Sequence, residues 1–415
     1  MEQYEPGRLS GAQLAAMRRS VTSGRGALTR RSMLRASGAG ALAIGGLAGL
    51  SGCGIPPAKR DENGPASIDD SAKEKRIVFS NWTEYMDTSE DEKHYPSLEA
   101  FTKRTGITVK YTADINDNVE FFGKIQPQLA AGQDTGRDLI CVTDWLAARM
   151  IRLGYAQKLD PSNLPHAFAN LAEQFRMPDW DPGRAYSYPW TGIPTVIAYN
   201  AKATGGRAVT SVSQLLEDPR LKGRTSFLTE MRDSVGMTLL DLGKDPADFT
   251  DDDFDAAIAR LQKGADTGQI RRFTGNDYTA DLDKGDIAAC LAWAGDIVQL
   301  QADNPNIKYT LPKTGYMISS DNLLVPAQAR HKTNAEMLID HYYRPPIAAE
   351  LAAYINYVCP VDGVRPELAK IDKTMADNPL IIPDAEMAAT SHAFRSLSSK
   401  EETAYEAKFA KLIGA

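Results

Sequence analysis

Two kinds of side chain recur where the sequence turns from an apolar run into a polar one: the aromatics Trp82, Tyr85, Trp145 and Trp293, and the acids Glu84, Glu230, Asp233 and Asp321. Indole and phenol rings attract ammonium groups through their quadrupoles, by about 0.5–2 kcal/mol each, and carboxylates add charge-assisted hydrogen bonds. A flexible polycation satisfies both. Taken singly, each residue also has a plain structural use: Trp145 and Trp293 as core, Glu230 and Asp233 at a helix N-terminus, Asp321 in a turn. Sugars also stack on Trp between Asp and Glu, so composition alone leaves the solute open.

Other chemistries lack their signals. There is no Gly-x-x-x-x-Gly-Lys phosphate loop and no His-Glu-x-x-His. Arg232-Asp233-Ser234-Val235-Gly236 lacks the first glycine that a nucleophile elbow needs for its sharp turn, and Ser234 reads as a helix-start residue. His94, His166, His331, His341 and His392 are scattered as surface or core residues. Cys141, Cys290 and Cys359 sit among apolar neighbours and read as small hydrophobes, with no disulfide assigned, and no cysteine has zinc spacing. Neither a metal nor a cofactor is expected. Paired tyrosines for iron are suggested only by Tyr342-Tyr343, and adjacent helical residues point in different directions.

The elements that must position these groups are legible as periodicity. Of 415 residues, 43% are hydrophobic and 24% charged, the balance of a soluble globular chain long enough for two lobes. Arg76 to Ser80 reads as a strand, Leu98 and Phe101 as one helix face stopping at Gly106, and Ile107, Val109 and Tyr111 as a half-buried strand. A helix follows through Phe122, Ile125 and Leu129, then a buried strand at Asp138 to Val142 and a helix from Trp145 to Leu153 closed by Gly154. This β-α-β-α order predicts a mainly parallel sheet with ligands beyond the strands' carboxyl ends. A second lobe is expected from about Pro194: a strand at Thr195 to Tyr199, a helix capped by Ser213, a helix through Phe254, Ile258 and Leu261 ending at Gly264, and a strand at Ile287 to Trp293. Helices are expected at Asn334 to Tyr343 and Ile347 to Tyr354.

Charge is uneven. The chain carries 47 basic and 54 acidic side chains, a net −7, yet its first 52 residues hold seven Arg against Glu2 and Glu5. The remaining acidic body excludes nucleic acid as a partner, since phosphates need a basic face. Thr29-Arg30-Arg31-Ser32-Met33-Leu34 precedes an uncharged stretch from Ala36 to Leu50, too short to cross about 30 Å of hydrocarbon comfortably. The adjacent arginines resemble a twin-arginine export signal, and Leu50-Ser51-Gly52-Cys53 resembles a bacterial lipobox. By that resemblance residues 1–52 are a twin-arginine lipoprotein signal peptide and Cys53 carries the lipid. The protein is then exported by the twin-arginine route and anchored to the outer face of the cell membrane. Residues 53–76, polar and rich in proline, read as a lipid-anchored flexible linker. A loose dinucleotide fingerprint at Gly38 to Ala43 has no preceding strand and is discarded.

The order of motifs in the body resembles the spermidine/putrescine-binding protein family, the substrate-binding subunits of polyamine ABC importers, over most of residues 77 to 390. Asn81-Trp82-Thr83-Glu84-Tyr85 is similar to its first binding loop, and Asp138 to Tyr155 to the strand and helix of its second, with Thr143 and Trp145 in place of a serine and a tyrosine. Tyr186-Ser187-Tyr188-Pro189-Trp190 is similar to its interlobe crossover. Leu228-Thr229-Glu230-Met231-Arg232-Asp233 puts Glu230 and Asp233 on its amine-binding carboxylates. Trp293 in Ala292-Trp293-Ala294-Gly295 matches its stacking aromatic, Asp321 its central carboxylate and Tyr357 a lining tyrosine. Two departures stand out: Ser319 replaces a family tryptophan, and Phe394 or Arg395 falls near a family glutamine, where an arginine would oppose a polyamine.

The resemblance implies an α/β, two-lobed periplasmic-binding-protein fold, type II, with a ligand cleft between lobes: 77–193 and 320–366 form lobe 1, 194–319 and 367–415 lobe 2. It implies a monomeric binder of a putrescine- or spermidine-type polyamine, not an enzyme, partnered by ABC transporter permease subunits. In that reading Glu84, Glu230, Asp233 and Asp321 neutralise ammonium groups, Trp82, Tyr85, Trp145 and Trp293 line the methylene chain, Thr83 and Thr143 supply hydroxyls, Tyr357 adds a lining ring, and Ser319 stands where one wall of the aromatic box is missing or supplied elsewhere. Two alternatives stay open: a binder of a sugar, an amino-acid derivative or iron, and a lipid-anchored hydrolase using two of the acids about 5 to 9.5 Å apart.

Overall fold

The computed structural model describes residues 67–89 and 94–414, so the export signal, Cys53 and the first part of the linker lie outside the described residues. β1 (Arg76–Trp82) buries Ile77 and Phe79. Helix α1 (Pro96–Thr105) begins on a proline, whose fixed φ and missing N–H suit a first turn, and stops at Gly106, where φ of 72° suits glycine. β2 (Thr108–Ile115) leads into α2 (Asn118–Ala130), capped by Asp117, whose carboxylate accepts the Glu120 amide at 2.8 Å. β3 (Leu139–Thr143) passes directly into α3 (Asp144–Arg152).

β4 (Ser187–Asn200) is a single strand of 14 residues. β5 (Thr225–Leu228), α4 (Met231–Asp241), α5 (Asp251–Asp266), β6 (Ile270–Thr274), β7 (Ala289–Trp293), α6 (Ala294–Asp303) and β8 (Ile307–Thr310) follow. The chain returns through β9 (Tyr316–Leu324), α7 (Lys332–Tyr342) and α8 (Pro345–Ile355), and ends with β10 (Ser391–His392) and α9 (Ser399–Ile413).

The strands lie in the order β2-β1-β3-β9-β4-β7-β5-β6, with β10 beside β9 and β8 beside β4. On one flank β1 pairs in parallel with β2 and β3, and on the other β5 pairs in parallel with β6 and β7, as the β-α-β-α order predicts. The centre differs. β9 is antiparallel to β3 and β4, and β4 is antiparallel to β7, so the sheet is mixed. Apolar side chains gather on either side of that centre. Phe79, Leu139, Trp190, Leu323 and Leu338 pack together on one side, with Ile140, Leu146 and Met150 in an adjoining layer. On the other, Val196, Phe227, Phe254, Leu291 and Tyr405 pack together. Each such side chain contributes about 1.5–3 kcal/mol on burial, which makes each side a core in its own right.

Four expectations need correction. The strand expected at Thr195 to Tyr199 starts earlier: β4 runs from Ser187 through Pro194, which is paired with Ile318. The helix Val212–Glu217 is capped by Ser211, which accepts the Gln214 amide, whereas Ser213 donates to Asp241. Gly264 lies inside α5, where an added Cβ would stand 2.9 Å from Leu216, so glycine there permits close packing rather than a stop. The last part of the expected tether is held to the body: Asp70 pairs with Arg330, Asp69 accepts the Thr333 hydroxyl, and Ser71 accepts the Asn334 amide.

Candidate functional site

Asp321 lies on β9 in the middle of the sheet, opposite Thr143 of β3 on one side and Thr191 of β4 on the other. It is 3% exposed. The Thr143 hydroxyl, itself accepting from Asn118 at 2.9 Å, donates to its carboxylate at 2.8 Å, and the Tyr85 hydroxyl adds a second bond. Burial outweighs both and pushes its pKa up to about 6. Tyr85 follows the turn after β1, and its ring lies 6.0 Å from that of Tyr357.

The other side of the centre supplies a second carboxylate. Glu230 caps α4 and Asp233 falls in that helix's first turn, so the places a helix dipole favours also aim Asp233 inward. Asp233 is 3% exposed and accepts from the Thr195 hydroxyl at 2.7 Å and the Trp293 indole N–H at 2.8 Å. Burial, reinforced by Glu230, raises its pKa to about 7.

Two carboxylates that the sequence reading did not single out complete the group. Asp144 opens α3; it accepts the amides of Trp145 at 2.7 Å and Ser320 at 3.3 Å, and burial raises its pKa to about 7 despite nearby Arg232. Asp296 opens α6 and is raised by burial; it accepts from Tyr278, from Asn276 at 2.9 Å and from Tyr357 at 3.3 Å. Glu84, exposed at a turn with φ of 60°, is close enough to add to that shift. The clue available in sequence was positional: each Asp stands just past the end of a strand, in Thr143-Asp144-Trp145 and Trp293-Ala294-Gly295-Asp296.

Among the described residues no Lys, Arg or His forms an ion pair with Asp233, Asp296 or Asp321; the nearby arginines pair with Glu230, Glu401, Glu402 and Glu406 instead. Basic groups gather instead around Trp145, with the guanidinium carbons of Arg149 and Arg232 each 4.9 Å from its ring centroid. These arginines belong to a network closing on α9. Glu402 pairs with Arg149 at 3.0 Å, Arg152 at 3.1 Å and Arg232 at 3.2 Å, and Glu406 pairs with Arg149 at 3.4 Å. Beside it opens a cavity that Trp145, Asp233 and Ser319 line together with Asp144.

The sequence-predicted residues therefore divide. Tyr85, Thr143, Asp321, Tyr357, Asp233, Trp293, Glu230 and Glu84 join one connected set of hydrogen bonds, ring contacts and charge interactions drawn from both sides of the centre. Trp145 and Ser319 lie at its edge on the cavity, the ring of Trp145 already facing the protein's own cations. Trp82 packs into both apolar layers of the first side with its indole N–H unpartnered, and Thr83 is exposed. Arg395 lines the cavity rather than touching Asp321 or Asp233 and pairs with Glu401 at 2.8 Å.

A family model described as bacterial extracellular solute-binding protein matches residues 97–383. A spermidine/putrescine-binding periplasmic protein of Escherichia coli is 29% identical over 344 residues, covering 82% of this chain and 89% of that protein. Two solved structures are similar in fold. One is the spermidine/putrescine ABC transporter substrate-binding protein PotD of Streptococcus pneumoniae, with a TM-score of 0.69 at 21% identity over 81% of this chain and 98% of that one. The other is the TpPotD lipoprotein of Treponema pallidum, with a TM-score of 0.69 at 20% identity over 82% and 100%. The architecture is accordingly the two-lobed type II periplasmic-binding fold.

Proposed function

The chain belongs to the bacterial extracellular solute-binding proteins, and from that premise we propose that it captures a polyamine of the putrescine or spermidine type and passes it to the permease of an ABC importer. The observation that carries this reading is the set of buried carboxylates on Asp233, Asp296 and Asp321, with no basic partner among the described residues and rings of Trp293, Tyr85 and Tyr357 beside them. Buried charge without a partner is costly, so a ligand bearing ammonium groups stabilises the ionised form of all three and favours the conformation in which both lobes surround it. The name of the Escherichia coli relative supports the same ligand class.

In this reading Asp321, Asp233 and Asp296 neutralise ammonium groups, with Asp144, Glu230 and Glu84 adding negative potential. Trp293, Tyr85 and Tyr357 flank the methylene chain, and Thr143 orients Asp321. No bond is made or broken, and the protein acts as a binder. Lobe 1 comprises 77–193 with 320–366 and lobe 2 comprises 194–319 with 367–415, although Leu368, Ala376 and Ile381 pack with the lobe 1 side chains. Calorimetry with putrescine, spermidine and spermine tests the assignment: a Kd below about 1 mM for at least one is expected, and its absence for all three rejects it.

Outside the described residues, export by the twin-arginine route and acylation of Cys53 tether the protein to the membrane's outer face. The expected consequence of Cys53→Ser is a shift of the protein from the membrane fraction to the soluble fraction. Retention in the membrane would reject the anchor.

A further inference from the structure

The cavity beside Trp145 is unlike the rest of the cleft. Asp144 and Asp233 line it together with Trp145, Trp180 and Phe394 and with Arg152, Arg232 and Arg395. Each of these arginines already has a carboxylate partner, in Glu402, Glu230 or Glu401. Three acids and three arginines therefore face the space, in contrast to the set around Asp321 and Asp296. A second ammonium or a guanidinium placed here would meet three guanidinium groups as well as the acids, and would gain less than beside Asp321 and Asp296, whereas an uncharged acyl group would meet N–H donors and ring faces.

We infer that the cargo is a polyamine acylated at one terminal nitrogen. Its free ammonium groups sit among Asp321, Asp296 and Asp233, and its acyl group extends into the cavity. The acyl oxygen accepts from the guanidinium groups that line the cavity, and a carboxylate at the tail's end is favoured further by Arg152 and Arg395. This rests on the amine-binding reading and narrows it.

The test is calorimetry on the purified chain with four ligands: putrescine, spermidine, N-acetylputrescine and N-succinylputrescine. The acylated compounds are expected to bind at least about tenfold more tightly than putrescine, the worth of one or two added hydrogen bonds. Filling the cavity from two independent positions, with Ala148→Met on α3 or Leu397→Trp before α9, is expected to remove that preference. Equal or tighter binding of the free amines by the wild-type protein overturns the inference and leaves the amine reading standing. Binding of none of the four overturns both. A preference that survives in either folded variant, judged by an unchanged thermal transition, overturns the placement of the acyl group.

Discussion

Lowering the pH should weaken ligand binding, by an amount the buried carboxyls set. In the unliganded protein Asp144 and Asp233 are raised to about 7 and Asp321 to about 6, chiefly by burial. A bound ammonium favours the ionised carboxylate, so ligand lowers these values and binding releases protons wherever the free protein still holds them. At about pH 5 a group of pKa near 7 is ionised in roughly one molecule in a hundred, and ionising it costs about 2.7 kcal/mol. One such group lowers affinity about a hundredfold relative to neutral pH, and a second adds to this. The same shifts act on stability with the opposite slope. A carboxyl whose folded pKa is raised stabilises the fold below its unfolded value of 3.8, and this contribution is lost as pH rises through about 7, with buried Asp87 acting in the same sense. Ligand should therefore raise the melting temperature more at about pH 8 than at pH 5. Calorimetry near pH 6 in two buffers of different ionisation enthalpy reads the proton release directly. Affinity flat from about pH 5 to 8, with no proton released, would refute the reasoning.

Three further perturbations follow from the geometry. Asp321→Asn should weaken amine binding by about 2–5 kcal/mol at neutral pH and by much less near pH 5, where the wild-type carboxyl is already protonated; titrations at both pH values decide it. Gly295→Ala places a Cβ 2.5 Å from the Tyr357 ring, so the ring must leave Asp296; about tenfold weaker binding and about 1–3 kcal/mol less stability are expected, read by calorimetry and denaturant melts. Arg149→Ala combined with Arg152→Ala leaves Glu402 with Arg232 alone and should speed ligand release about tenfold while reducing its dependence on salt, measured by stopped flow.

The parts of this molecule that local chemistry dictates were readable in the sequence. The parallel flanks follow from apolar runs separated by amphipathic helices, and Gly106 and Pro96 mark the bounds of α1. The antiparallel centre was not readable, because β4 and β9 meet across more than a hundred residues and β4 is buried almost throughout, leaving no alternation to show which face pairs. The strand expected at Thr195 to Tyr199 extends back through Pro194 to Ser187, and proline, rare inside a strand, gives no local sign of that continuation. Asp233 and Asp321 were found through their surrounding motifs. Asp144 and Asp296 were missed because an acid in a helix's first turn ordinarily serves the helix dipole, and both occupy that place. Trp145 was recognised by type, but one of the two cations over its ring comes from Arg232, remote in sequence.

Strands β4 and β9 run side by side where one set of packed side chains gives way to the other, from Ser187 opposite Leu324 to Pro194 opposite Ile318, with a bulge at Trp190. A ladder of that kind resists sliding, which would break its rungs together, and yields to flexing, which breaks none. Closure of the two halves, if it bends this ladder, would be described by a single angle. A transporter gripping both halves at their far rims would sense that angle as a change in the spacing of its footholds, and could learn whether cargo is aboard without touching it.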